Sequence, residues 1–174
     1  MISFRFEPEK FASAVAYLAE RKPGITRSEL CSLLYFADKE HLLSFGRTIT
    51  GDRYQAMEQG PVPTEGLHAL DGTGDERNLE ALRRYGRLSG PAFHLEGPAD
   101  LKTFSKSDIR ILDETLDRLG QLGISELADL SRQEPAWVKS RANGPMEFEL
   151  FFEGRDEAEP IKAILLEEHG ARVA

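Results

Sequence analysis

The sequence predicts a mainly α fold, of the α+β kind, with one or two small β-hairpins on a compact helical domain. Three observations point there. "TRSE" at 26–29 and "SKSD" at 105–108 are written as capping boxes, which open helices. Apolar residues recur three and four apart through most of the chain, the spacing of helix faces. Strand-forming residues gather around turn residues in two short stretches.

The first helix starts at Pro8, whose fixed φ suits a first turn. Phe11, Val15 and Leu18 give it an apolar stripe, and Pro23 with Gly24 stops it. In the second helix the Thr26 hydroxyl takes the Glu29 amide, and the Glu29 carboxylate reaches back to Thr26. Leu30, Leu33, Leu34, Ala37 and His41 follow one face, with Cys31, Tyr35, Leu42 and Phe45 beside it. So wide an apolar surface predicts a central helix packed on more than one side, ending at Gly46. Asp38 sits on its apolar flank, where a carboxylate needs hydrogen-bond partners. The expected role is structural: anchoring a loop amide or an arginine, Arg47 or Arg53.

"TITGDRYQAM" at 48–57 reads as a strand around a Gly-Asp turn. Next comes "GPVP", which suits neither a helix nor a central strand, because Pro61 and Pro63 lack amide donors. Gly60, Pro61 and Pro63 are therefore expected to set backbone shape at a rigid corner. "TEGLHAL" gives a short helix ending at "DGTGD", and "RLSGPAFHLEG" a second, weaker hairpin turning at 89–91. From "SKSD" a helix carries Ile109, Leu112, Leu116 and Leu119 until Gly120 and Gly123. Ser125 is the expected cap of the following helix, which holds Leu127 and Leu130. "EPAWVKSR" opens another, with Pro135 in its first turn and Trp137 partly buried. "MEFELFFEG" reads as a strand or a packed extended arm, and "EAEPIKAILLEEHG" as a C-terminal helix.

A length of 174 residues predicts one domain, 1–174. The net charge of −8 and pI near 5.1 disfavour general nucleic-acid binding, which needs clustered Lys and Arg. Most of the imbalance sits in an acidic strand-and-helix extension, 146–174. It reads as a solvated helix face or as a surface matched to a basic partner. The start lacks a basic then apolar leader, and no apolar run reaches the length of a membrane span. With Cys31 alone, no internal disulfide forms, and the cytoplasm is the expected compartment.

Catalytic and metal patterns are missing from the sequence. His41, His68, His94 and His169 are scattered, and none belongs to a zinc spacing. Asp38 and His41 share a helix three residues apart but bring no third ligand. "DGTGDERNLE" begins like a calcium loop and fails at its sixth position, Glu76 instead of glycine. Cys31 and His41 are separated by about 15 Å of helix, too far for a dyad. No phosphate loop, dinucleotide fingerprint or nucleophile elbow occurs. The expectation is a chain that is no enzyme and takes no cofactor or metal. A winged-helix reading of 25–46 fares poorly, since its second helix offers Leu, Tyr and Phe where a recognition helix shows polar groups.

"LCSLLYFADKEHLLSFGRTITGDRYQAMEQGPVP" followed by "LADLSRQEPAW" resembles the SocA-like antitoxin family and its Panacea domain. The resemblance spans about residues 8–141 and rests on several elements in order. It implies an antitoxin that binds and neutralises a cognate protein toxin, and in the SocA kind also an adaptor delivering that toxin to the ClpXP protease. The competing reading is a DNA-binding transcriptional autoregulator of its own operon. One departure is Arg132, where the family often carries histidine. Aromatic, Met and Arg anchors dominate binding surfaces, which makes Tyr54, Met57, Val62 and Trp137 candidate contacts with the toxin. Asp52 and Arg53, at the expected turn, are candidate exposed polar contacts. Core packing is the competing role for each, Trp137 above all.

Overall fold

Residues 1–171 are described by a computed structural model; 172–174, the end of the acidic extension, lie outside the described residues. Among the described residues, eight α-helices and two antiparallel two-stranded hairpins make up the fold, the mainly α class with small hairpins that the sequence predicts, with one helix more than its pattern gave. Helix α1 (Pro8–Arg21) begins at its proline. Helix α2 (Arg27–Phe45) opens with both capping-box bonds in place and closes on Gly46 in the left-handed conformation. A box of this kind stabilises a helix by about 1 kcal/mol. Every residue from Glu29 to Lys39 is buried, so α2 is the axis of the core.

Strand β1 (Tyr54–Met57) pairs with β2 (Gly60–Pro63) through a two-residue turn. Two expectations change here. The strand expected over 48–57 starts only at Tyr54, because the preceding residues fold onto Asp38. "GPVP" is itself a strand, tolerated because its prolines face away from β1. Gln55 pairs with Val62 and Met57 with Gly60, so Pro61 and Pro63 fall at the outward positions, where no ladder amide is needed. The far edge of β1 is taken by residues 143–146: Ala56 donates to the Gly144 carbonyl and Met146 donates to the Tyr54 carbonyl.

Helix α3 (Thr64–Leu70) follows β2 directly. Helix α4 (Glu76–Arg83), absent from the sequence reading, is capped by Asp75 and packs Leu79 and Leu82 inward. Hairpin β3 (Gly86–Ser89) and β4 (Ala92–Leu95) turns at Gly90 and Pro91, and β4 is bound on its far side by residues 25–27. Helix α5 (Lys106–Leu119) has the Ser105–Asp108 capping box. Gly123, not Ser125, caps α6 (Ile124–Ser131), which places Ser125 inside the first turn. Helix α7 (Pro135–Val138) is a single turn. The segment expected as strand or extended arm is a 3-10 helix, Phe148–Phe152, whose Phe148, Phe151 and Phe152 are buried. Two consecutive inward phenylalanines fit a helical turn, whereas a strand would send them to opposite faces. Helix α8 (Glu159–Ala171) lies against α2.

Candidate functional site

The signature residues converge on the hairpin β1–β2, and most of them hold it from inside. Asp38, midway along α2, is wholly buried. Its Oδ1 accepts the amides of Ile49 and Thr50 at 2.8 and 3.0 Å; its Oδ2 accepts the Thr50 hydroxyl at 2.6 Å and the Tyr54 hydroxyl at 2.7 Å. Four donors on one carboxylate are what a buried charge requires. The anchoring role expected of Asp38 is thus filled by loop amides and hydroxyls. Neither arginine takes part: Arg47 lies 3.0 Å from Asp108, and Arg53 faces Glu65 at 3.7 Å. Burial pushes the Asp38 carboxyl up from its ordinary value, against these hydrogen bonds.

Asp52 and Tyr54 are corrections to the candidate contact set. Both are 1% exposed, so neither offers surface to a partner. Helix α3 starts after Pro63, which has no side chain able to accept its free amides. Asp52 supplies that acceptor from a distance, with Oδ1 on the Glu65 amide at 3.0 Å and Oδ2 on the Gly66 amide at 2.7 Å. Burial raises the Asp52 carboxyl to about 6, against the three amides it accepts. Tyr54 stacks edge-on against Tyr35 while its hydroxyl reaches Asp38.

The second signature element closes on the same hairpin. Trp137 donates its Nε1–H to the Met57 carbonyl at 2.8 Å. Ser131 packs under Gly60, where a Cβ would lie 2.4 Å from its Oγ. Glu134 accepts the Tyr35 hydroxyl at 3.0 Å and the Lys39 ammonium at 2.5 Å, tying α7 to α2. Sequence reasoning passed over Glu134 and Ser131; the only signal was their place in "SRQEPAW". It also missed the buried cluster at the start of α5, where Asp108 meets Lys10 at 2.9 Å and His41 at 3.2 Å. Burial there raises the Asp108 carboxyl, but His41, Lys10, the Ser105 amide and Arg47 together hold it well below the usual range. Arg132, the departure noted in the sequence, pairs with Asp129 at 2.6 Å on a half-exposed rim, which gives the arginine the carboxylate it needs.

Outward, the hairpin shows its other face. Gln55, Met57 and Val62 alternate with the buried residues and are partly exposed. Met57, Trp137 and the exposed Val138 line a shallow groove of about 390 Å³, with Glu58 and Asn143 at its rim. Arg53 is exposed at the opposite end of β1. Two of the six candidate contacts, Met57 and Trp137, therefore share the groove, and Val62 lies outside it on the same hairpin face as Met57.

Among the described residues no cluster of His, Cys, Asp and Glu is arranged to hold a metal ion. Cys31 is buried, and burial pushes its thiol up to about 12. No helix of the described residues is long and apolar enough to cross a membrane.

No curated protein and no solved structure matches the chain significantly. The model of one family does match, that of the antitoxin SocA-like, Panacea domain, over residues 30–138. That stretch runs from α2 through α7 and takes in the Asp38 brace, both hairpins and the Trp137 turn. The braces just described link the two signature elements within that stretch, and because the match covers more than half of the chain, this protein belongs to the SocA-like antitoxin family.

Proposed function

We propose that this chain is the antitoxin of a toxin–antitoxin pair, that it neutralises its cognate protein toxin by holding it, and that it catalyses nothing. The observation behind this reading is how the signature is spent. Its polar residues are consumed inside the fold, Asp38 and Asp52 in holding the hairpin and Glu134 in tying α7 to α2, while Met57, Val62, Trp137 and Val138 stay at the surface. A braced apolar face with a polar rim suits protein capture, because a rigid surface loses little entropy on binding.

Delivery of the captured toxin to ClpXP is the extension of this reading. Tethering a cargo to the protease raises its local concentration and needs no new chemistry. The acidic α8 and the segment before it are the surface proposed for that step.

The experiment expresses the gene adjacent to this one, alone and together with this chain. Growth arrest alone and growth restored together are expected, and Val138→Asp on the exposed groove should weaken rescue without lowering Tm. A neighbour that is harmless alone, or specific shift of the operon's own promoter DNA by this chain without rescue, would favour the autoregulator. Removal of residues 156–174 should spare toxin capture and stop its turnover by ClpXP.

A further inference from the structure

The two hairpins present four strand edges, and three of them are closed. The far edge of β1 is bonded to residues 143–146, and that of β4 to residues 25–27. The outward positions of β2 are both prolines, which have no amide to offer. The edge of β3 differs. Ser89 closes the turn opposite Ala92, and Phe93 on β4 turns its amide outward to the Ile25 carbonyl. Leu88, opposite Phe93, and Gly86, opposite Leu95, therefore turn their amides and carbonyls to that side as well; Gly86 is buried at the inner end of the strand, so half-buried Leu88 is the accessible position. Among the described residues neither has a backbone partner on that side.

Beside this edge runs a groove of about 590 Å³ between the end of α3, one face of α4 and β3. Leu70, Leu79, Leu82 and Leu88 supply its apolar lining, and Arg83 and Arg87 its charge. Arg83 is paired with Glu76, and Asp71 at the far wall is held by both nitrogens of the Arg27 fork. Arg87 is exposed and makes no salt bridge among the described residues. In a chain of net charge −8, residues 83–87 hold three arginines and no acid; Arg84 pairs with Glu9 at 2.7 Å, which leaves Arg87 as the charge on offer.

We infer that the β3 edge is a docking site for an extended, acidic segment of a partner protein, which adds to the hairpin as a third strand. Edge backbone groups set the geometry, since strand addition gives main-chain bonds and alternate side-chain pockets. Period-two alternation puts apolar residues over Leu79 and Leu82 and acidic ones beside Arg87. A second copy of this chain is the poorer occupant, because β3 against β3 would bring the two Arg87 clusters together. The inference stands apart from the toxin-holding face, which lies on the other hairpin.

The test titrates the full chain with an end-capped, fluorescein-labelled ten-residue peptide alternating valine and glutamate. A valine–lysine counterpart and a version N-methylated at every second residue serve as comparisons. Binding of the valine–glutamate peptide alone is expected, with an amide shift at Leu88. Arg87→Glu should weaken it about tenfold or more, and Val138→Asp should leave it unchanged. The inference is overturned if the valine–glutamate peptide fails to bind, if the lysine or N-methylated peptide binds equally well, or if Arg87→Glu has no effect. Self-association of the chain that the peptide displaces would overturn it in favour of the second copy.

Discussion

Asp52 closes the amino end of α3 at Gly66, fourteen residues further along the chain, with Oδ2 2.7 Å from the Gly66 amide. The loop after α2, the hairpin and α3 are thereby locked to one another through a single buried carboxylate. Gly66 makes room for this contact: a Cβ there would lie 2.5 Å from the Phe11 ring and 3.1 Å from Asp52 Oδ2.

The raised Asp52 carboxyl gives stability a definite pH slope. Its folded value of about 6 exceeds the ordinary 3.8, so between these values the folded chain binds a proton that the unfolded chain does not. The contribution of Asp52 to stability therefore grows as pH falls from about 6 to about 4 and is flat above. Urea unfolding of the wild type and Asp52→Asn across this window should show that slope only in the wild type.

Asp108 acts in the opposite sense. Its carboxyl is held below the ordinary value, so its stabilising effect is complete above about pH 4 and is lost as pH falls further. Lys10→Met removes one of the cations that hold it. The acid-unfolding midpoint of that variant is expected at higher pH than that of the wild type, followed by circular dichroism.

Replacing Asp38 tests the inner brace. Asp38→Ala leaves two amides and two hydroxyls without an acceptor and should cost about 3 kcal/mol or more. Asp38→Asn keeps the shape but turns a donor toward the Thr50 and Tyr54 hydroxyls, for a smaller loss of about 1–3 kcal/mol. Equal stability of wild type and Asp38→Ala by urea unfolding would remove the brace from this account.

Gly60 sits at φ +127°, a conformation that L side chains rarely adopt, with Ser131 Oγ where a Cβ would go. Gly60→Ala should lower stability by about 1–3 kcal/mol. Adding Ser131→Ala removes the close oxygen and should recover part of that loss, leaving the backbone strain. A double-mutant cycle separates the two, since contacting residues are the ones that fail additivity.

Local signals were legible in the sequence, and long-range ones were not. The Thr26–Glu29 and Ser105–Asp108 boxes, Pro8, and Gly46 each act within a few residues, and each marks a boundary the structure keeps. Helix α4 escaped notice because its eight residues follow a glycine-rich run and have few apolar positions. Of the candidate site, Met57, Val62 and Trp137 were picked by residue type, and the structure leaves each of them partly exposed. Asp52 was misplaced at an exposed turn because its partners lie 13 and 14 residues away. Glu134 was missed for the same reason, its partners Tyr35 and Lys39 being on another helix. Asp38 could be read as structural from its apolar flank, but its four donors could not be told from the two arginines nearby.

The lone cysteine offers a way to watch the molecule open. Cys31 is sealed in the central helix with its thiol pushed up to about 12, so almost no thiolate exists in the closed form at neutral pH. An alkylating reagent should therefore react only with molecules whose α2 has come away from its neighbours. The labelling rate then counts the opened population directly, without an added tag. Followed with and without the proposed toxin partner, the same thiol would report whether its binding clamps the chain shut.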